Sequence, residues 1–122
     1  MAISVSLDPL AGEYTTKITT DDVAKLNSLD PNISNNIGSW IISLKSDGTA
    51  TAIYENRETT DINYTIDGND MEIYIRNGIC SENVGRYKWG LKGSELLFSK
   101  VADSCDSEVL VLTSHPLERA NP

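Results

Sequence analysis

Apolar and polar residues alternate along most of this chain, with the period of two that is typical of β-strands. The pattern is clearest over residues 87–98, where two alternating runs flank the sequence Lys92-Gly93-Ser94. A short glycine-containing turn between two such runs predicts an antiparallel hairpin. The same pattern recurs along the chain and predicts eight strands, at residues 12–18, 38–45, 49–55, 62–66 and 71–76, in both halves of 87–98, and at 108–113.

One segment has helical character instead. Thr19-Thr20-Asp21-Asp22 combines a capping threonine with acidic residues, which favour the positive end of a helix dipole. Val23 and Leu26 then form one apolar face, and Asp30-Pro31 stops the helix. We expect this helix, at residues 20–29, to be the only one.

The length of 122 residues suits a single domain, with an N-terminal arm at 1–11 and an extended tail at 114–122. In the arm, Ile3, Val5 and Leu7 share one face. This pattern predicts an extended segment or a short extra strand that pairs with the barrel or with a second copy of the chain. A homodimer is therefore one candidate assembly.

The connectors between the predicted strands alternate in length. Those after strands two, four and six are tight turns, such as Asp67-Gly68-Asn69-Asp70, whereas those after strands one, three, five and seven are longer. In an up-and-down arrangement the long loops and the helix then cluster at one end. Because eight strands are enough to close a barrel and remove the sheet edges, we expect an all-β fold. That fold is an eight-stranded antiparallel up-and-down β-barrel with one short helix between strands one and two.

Each predicted strand has one face free of charge, and these faces form the expected interior. Ala50 and Ala52 are small for a filled core. Barrels of eight strands are either filled by side chains or hold one small ligand, and both interpretations stay open here. If the barrel is hollow, an apolar organic ligand should lie among the inward aromatic side chains, which are Tyr14, Trp40, Tyr54, Tyr64, Tyr87, Trp89 and Phe98.

Two cysteines are predicted to lie at the same end of the barrel, Cys80 in the fifth connector and Cys105 in the seventh. Two strand spacings place the roots of these connectors about 10 Å apart. Loops can close that gap to the ~5.5 Å Cα separation of a disulfide. We expect this disulfide, with free thiols in a reducing compartment as the alternative.

Charge limits the classes of partner. Eighteen acidic and ten basic residues give a net charge of −8, which argues against nucleic acid and anionic membrane surfaces. No apolar run approaches the ~20 residues of a membrane span. The first residues also lack the basic start and apolar block of a signal peptide, so we expect a cytoplasmic protein.

Motifs of catalytic triads, phosphate loops and dinucleotide sites are absent from the sequence, and no cofactor is expected. His115 is the single histidine, has no positioned partner in the sequence, and cannot make a convincing metal site with two cysteines. The acids of the long-loop end are expected to be solvated, namely Asp21, Asp22, Glu58, Asp61, Glu82, Asp103 and Asp106.

Two short motifs, Gly12-Glu13-Tyr14 and Gly38-Ser39-Trp40, are similar to the Gly-x-Trp sequence that opens a lipocalin barrel. Together with the helix after the first strand, the pattern over residues 12–113 resembles the lipocalin and fatty-acid-binding (calycin-type) superfamily. The resemblance implies a barrel that binds an apolar small molecule. It also implies a late basic residue that packs on the motif's aromatic ring, for which Arg119 is the candidate.

Three functions stay open at this stage. The first is a lipocalin-like barrel that carries or sequesters an apolar small molecule. The second is an enzyme of the same architecture, similar to the bacterial barrels that act as cofactor-free cyclases or isomerases in natural-product biosynthesis. Its hydroxyl donors would be the four inward tyrosines. The third is an interaction domain that uses its outer face or its N-terminal arm.

Overall fold

The computed structural model describes residues 10–78 and 80–120, and the predicted pairing of residues 2–7 lies outside this range. The described chain forms a closed eight-stranded antiparallel barrel whose strands follow one another in chain order, which confirms the predicted fold class. The elements are β1 Gly12–Ile18, α1 Thr20–Leu26, a 3₁₀ helix Ile33–Asn36, β2 Gly38–Leu44, β3 Thr49–Tyr54, β4 Glu58–Asp67, β5 Asp70–Ile75, β6 Val84–Lys92, β7 Glu95–Ala102, α2 Asp106–Thr113 and β8 Leu117–Arg119.

The hairpin at residues 87–98 forms as the alternation predicts. Lys92 pairs with Glu95 and Leu91 with Leu96 across the turn. Gly93 adopts a φ of 61°, a left-handed conformation that glycine reaches without a steric penalty. Leu96 is fully buried, but Leu91, also at an inward position of the alternation, is 38% exposed at the turn end of the barrel.

Helix α1 begins at the predicted cap. The Thr19 hydroxyl accepts a hydrogen bond from the Asp22 N–H, and the Asp22 carboxylate accepts one from the Thr19 N–H. This reciprocal capping box satisfies two of the donors that a helix start leaves open. The helix ends at Leu26, earlier than predicted, because Asn27 turns into a left-handed conformation with φ 54°. Leu29 is consequently 97% exposed and is not part of the apolar face.

The prediction of a strand at 108–113 is wrong, because Asp106–Thr113 forms the second helix, α2. All residues from Glu108 to Leu112 are buried, so this run lacks the polar face that would mark a helix. A short apolar run of this kind is compatible with a buried strand or a buried helix. The eighth strand is instead Leu117–Arg119, within the segment predicted to be an extended tail at 114–122.

Strand β4 also begins earlier than predicted, at Glu58 instead of Ile62. The connector after β3 is therefore a tight turn, in which Glu55 and Asn56 both have positive φ angles. Thr59 and Thr60 pair with Ile53 and Ala52. Their branched side chains suit a strand, although the surrounding charges resemble a loop.

The helical elements collect at one end of the barrel, the end that also carries the connector between β5 and β6. Residues of α1, the 3₁₀ helix and α2 contact one another, and α2 also packs on β1 and β7. The tight turns of three hairpins lie at the opposite end. Among the described residues, no helix has the length and apolar character needed to cross a membrane.

Candidate functional site

The barrel encloses a cavity of about 580 Å³ beneath the helical end. This volume lies within the range of ~300–1,000 Å³ that is typical of small-molecule sites. The walls are largely apolar and come mainly from β2 to β5, with α2 and the 3₁₀ helix closing one side. The apolar and aromatic side chains that line it are Trp40, Ile42, Leu44, Ala50, Ala52, Tyr54, Ile62, Tyr64, Met71, Ile73, Ile75, Phe98, Val111 and Leu112.

Four of the seven aromatic residues predicted to bind a ligand line this cavity, namely Trp40, Tyr54, Tyr64 and Phe98. The Trp40 and Tyr54 rings pack together with their centroids 5.0 Å apart. The other three residues, Tyr14, Tyr87 and Trp89, are not part of its lining. Tyr14 and Tyr87 are fully buried within the barrel wall, and Trp89 lies toward the turn end on β6.

Each of the four inward tyrosines donates its hydroxyl to a group of the protein. Tyr14 donates to the Leu10 carbonyl (2.7 Å) and Tyr64 to the Lys45 carbonyl (2.5 Å). The Tyr54 hydroxyl donates to the Ile37 carbonyl, and the Tyr87 hydroxyl donates to the Asp103 carboxylate. The hydroxyl protons of all four tyrosines therefore already have acceptors within the protein.

Two alanines of β3 make room for the cavity. Ala50 and Ala52 are both buried, and both line the cavity. They pair with Leu44 and Ile42 on one side, where larger side chains continue the wall. Small residues at these two positions leave space in the barrel that larger ones would fill.

Polar side chains gather where the cavity opens toward solvent. Arg57, Glu58 and Thr59 come from the start of β4 and the turn before it, and all three are exposed. The Arg57 guanidinium lies 5.7 Å from the centroid of the Tyr54 ring, a cation–π arrangement. Asn35 belongs to the 3₁₀ helix and lines the same opening. An entering ligand therefore meets a polar rim before the apolar interior.

A buried acidic cluster adjoins the cavity on the α2 side. Asp103, between β7 and α2, accepts hydrogen bonds at Oδ1 from Asn83 Nδ2 and from the Cys105 N–H, each 2.9 Å long. Asp103 Oδ2 accepts the Tyr87 hydroxyl proton. Burial would raise the pKa of Asp103, but hydrogen bonds from Glu108 and from these three donors lower it. Asp103 is therefore a buried carboxylate whose charge is stabilised by hydrogen bonds from the protein.

Glu108, in the first turn of α2, is the protonated partner of this carboxylate. It is 9% exposed, and its Oε1 accepts a hydrogen bond from Asn83 Nδ2 at 3.2 Å. Burial, then the hydrogen bond with Asp103 and the charge of Asp103, raise the pKa of Glu108 to about 9. Glu108 Oε2 has no hydrogen-bond partner among the described residues. Because an ionised carboxylate only accepts, a hydrogen bond between the two carboxyl groups requires a proton on one of them, and the raised pKa places it on Glu108.

The same environment changes a tyrosine. Burial and the hydrogen bond to Asp103, together with the nearby acids, raise the pKa of Tyr87 far above its ordinary value. Tyr87 is therefore a permanent hydroxyl donor to Asp103. The expectation of solvated acids is accordingly wrong for Asp103, which is buried, and also for Asp22, which is 7% exposed.

A disulfide fixes α2 next to this cluster. Cys80, in the connector between β5 and β6, is bonded to Cys105, with a Cα separation of 6.0 Å. Cys105 is the N-cap of α2, and its sulfur accepts the Glu108 N–H. The covalent bond thus attaches the start of α2 to the loop that carries Asn83.

His115 has a partner that the sequence did not reveal. Its Nε2 lies 2.7 Å from Asp22 Oδ2, linking the residues before β8 to the start of α1. Hydrogen bonds from Thr19 and His115 lower the pKa of Asp22, against the opposing effect of its burial. His115 does not line the cavity, so this pair stabilises the helical end and has no evident place in a reaction there.

Sequence reasoning missed Ser107, Glu108 and Val111, all of which line the cavity from α2. A signal for them was present. Asp106 and Glu108 lie in the first turn of the helix, where acidic residues favour its dipole, directly after a residue that caps it. The apolar run that follows concealed the signal by its resemblance to a strand.

Gly85 makes the acidic cluster sterically feasible. A Cβ at this position of β6 would lie 2.6 Å from Asp103 Oδ2 and 3.0 Å from Glu108 Oε1. We expect Gly85→Ala to lower the free energy of unfolding by about 2 kcal/mol, as overpacking typically does. Gly90→Ala, in the same strand but with no atom within 4 Å of the added Cβ, is the matched control. Equal urea midpoints for Gly85→Ala and Gly90→Ala would contradict the close packing of Gly85 against the acidic cluster.

Comparisons of the chain with protein-family models, with curated proteins and with solved structures found no match. Within residues 10–78 and 80–120, no group of three or more His, Cys, Asp or Glu side chains is placed to hold a metal ion. The functional assignment therefore depends on the geometry of the cavity.

Proposed function

We propose that this protein is a lipocalin-like barrel that binds an apolar small organic molecule in its central cavity. The observation that carries the proposal is the cavity of about 580 Å³, with apolar walls and a polar rim. Side chains of a filled barrel would occupy this space, and burial of an apolar ligand there gains free energy in proportion to the area removed from water.

The pair formed by Tyr14 and Arg119 supports the lipocalin likeness. Tyr14 occupies the position of the tryptophan in the Gly-x-Trp motif, and the Arg119 guanidinium lies 5.4 Å from the centroid of its ring. Arg119 also donates a hydrogen bond to the Ala11 carbonyl. A late basic residue therefore packs on the motif's aromatic ring and joins the last strand to the start of the first.

The test is to fill the cavity from β3. We expect Ala52→Phe to weaken binding of an uncharged solvatochromic dye, such as Nile red, by at least about tenfold, because the new ring takes the space of the ligand. Thr51→Phe adds a ring at the adjacent position, whose side chain points to the other face of the sheet. Its affinity should stay within about twofold of the wild type. Equal affinities of both variants and the wild type would place the dye outside the barrel and contradict the proposal.

Tryptophan fluorescence supplies a second readout of the same experiment. Trp40 lines the cavity and Trp89 does not. Quenching by direct contact with the bound dye should therefore fall strongly in Trp40→Phe and little in Trp89→Phe. The reverse order would also exclude binding in this cavity.

A second candidate is a cofactor-free cyclase or isomerase that uses the same cavity. The observation that favours it is Glu108, a buried carboxylic acid in the wall, since acid groups of this kind activate carbonyl oxygens. The two functions differ in the compound that is recovered after incubation with the protein. A carrier returns its ligand unchanged after prolonged incubation, whereas an enzyme returns a rearranged product of the same mass.

A further inference from the structure

Glu108 differs in its burial from the other acidic and basic side chains that line the cavity. Arg57 and Glu58 belong to the exposed rim, where water screens them. Glu108 is nine-tenths buried and lies in the first turn of α2, beside the apolar walls. Its Oε2 has no donor facing it among the described residues. A polar group in this position must influence which ligands the cavity accepts.

The surroundings of Glu108 keep it neutral and ready to donate. The titratable and polar groups that face it are Asp103 from the loop before α2, Tyr87 from β6 and Asn83 from the loop before β6. Asp103 carries the negative charge, and the proton resides on Glu108. The hydrogen bond between Glu108 and Asp103 lowers the pKa of Asp103 and raises that of Glu108.

Asp103 can lose the hydrogen bond from Glu108 and still keep its charge stabilised. It retains three other donors, the Tyr87 hydroxyl, Asn83 Nδ2 and the Cys105 N–H. A ligand oxygen that accepts the proton of Glu108 therefore replaces one of four hydrogen bonds and leaves no buried carboxylate unpaired.

We propose that Glu108 is the specificity-determining residue of the cavity and donates a hydrogen bond to a neutral oxygen acceptor, such as a ketone carbonyl, on an otherwise apolar ligand. This inference rests on the proposed binding function. It excludes carboxylates as preferred ligands, because a ligand carboxylate would lie beside the charge of Asp103 in a region of low dielectric constant. A hydrocarbon of the same shape binds less tightly, because it offers no acceptor to Glu108.

Three probes of nearly equal size test the inference in equilibrium dialysis: acetylnaphthalene, ethylnaphthalene and naphthoate. We expect the wild type to bind the ketone about fivefold more tightly than the hydrocarbon, the factor that ~1 kcal/mol of net hydrogen bonding provides. Naphthoate should bind at least about tenfold more weakly than the ketone. The infrared carbonyl stretch of bound acetylnaphthalene should move to lower frequency, which a merely structural role of Glu108 would not cause.

Substitutions of Glu108 test whether this residue causes the ketone preference. Glu108→Leu should lose the ketone preference and the infrared shift while it still binds ethylnaphthalene. Glu108→Gln keeps an N–H donor and should keep the preference at every pH, whereas the wild type should lose it above pH about 9. If Glu108→Leu fails to fold, the contrast in pH dependence between the wild type and Glu108→Gln decides the question. Glu13→Gln, on the exposed face of β1, should behave like the wild type.

The outcomes separate this inference from the function on which it rests. Binding of ethylnaphthalene and acetylnaphthalene with equal affinity would overturn the role of Glu108 and leave the binding function standing. The same conclusion follows if the ketone preference of the wild type persists unchanged above pH about 9. Absence of binding by all three probes would overturn both proposals.

Discussion

Replacing Glu108 by glutamine should make the protein more stable at pH 8 than the wild type, and should abolish much of the pH dependence of unfolding between pH 5 and 9. The pKa of this carboxyl rises from its ordinary 4.5 to about 9 in the folded state. The folded protein therefore holds a proton that the unfolded chain has lost across this interval. Stability from this group is fully present below the unfolded pKa and is lost as the pH rises through the folded one.

The size of the effect follows from linkage. Each pH unit between the two pKa values changes the free energy of unfolding by about 1 kcal/mol. Glutamine keeps the shape, donates its amide N–H to Asp103 and accepts from Asn83 through its oxygen, but it does not titrate. The difference between the wild type and Glu108→Gln should therefore grow by several kcal/mol between pH 5 and pH 8, in favour of the variant.

Urea denaturation at several pH values measures this difference directly. Glu13→Gln removes an exposed carboxylate from β1 and serves as the control for the change in net charge. Parallel stability profiles for the wild type and Glu108→Gln would show that Glu108 does not hold a proton in the folded state. The opposite slope is expected only at acid pH, where Asp103, whose pKa is lowered, becomes protonated and stability falls.

Loss of the Cys80–Cys105 disulfide should lower the free energy of unfolding by about 3 kcal/mol, the chain-entropy value for a loop of this length. The bond joins residues 25 positions apart. The segment between them contains β6 and β7, which form the wall next to the acidic cluster. Without the bond, the unfolded chain regains the freedom of that segment, and the start of α2 is no longer covalently attached to its neighbouring loop.

The double variant Cys80→Ser/Cys105→Ser is the appropriate substitution. A serine hydroxyl at position 105 can replace the sulfur that accepts the Glu108 N–H at the helix start. The reduced wild type should unfold at nearly the same urea concentration as this variant, which separates the disulfide from the side-chain change. Equal midpoints of oxidised and reduced protein would contradict the expected stabilisation.

These two predictions concern the same element, because both the disulfide and the Asp103–Glu108 hydrogen bond hold α2 at the end of the barrel. Ser107, Glu108, Val111 and Leu112 of this helix line the cavity. The shape and the polarity of the proposed site therefore depend on a helix that the disulfide and the acidic cluster help to hold in place.

The local pattern of apolar, polar and turn residues determined most of the strands and turns of the barrel. Alternation of apolar and polar residues marks the strands, and glycines such as Gly68 and Gly93, with φ near 60°, occupy the turns where the left-handed backbone is needed. These signals act over a few residues, so the sequence shows them without knowledge of the rest of the molecule. The capping box at Thr19 and Asp22 is of the same kind.

The eighth strand shows what a local pattern cannot predict, because the segment predicted to form it is helix α2 and the strand is β8. Residues 109–112 are apolar at every position and are buried on all sides, so neither periodicity is visible. The three residues of β8 are too few to show alternation, and they become a strand because β1 and β7 offer them hydrogen-bonding partners. Only the closed barrel decides which of these two segments completes the sheet.

The sequence by itself determined the eight-stranded antiparallel class, the inward faces and the nearness of the two cysteines, because each depends on the period of a strand or the length of a connector. The tertiary structure alone decided that the tyrosine hydroxyls are occupied and that Glu108 faces the cavity. It also brought Asp103 close enough to change the protonation of Glu108. Hydrogen-bond partners and pKa values depend on groups distant in sequence, such as Asn83 and Glu108, whose distance is set only when the barrel closes.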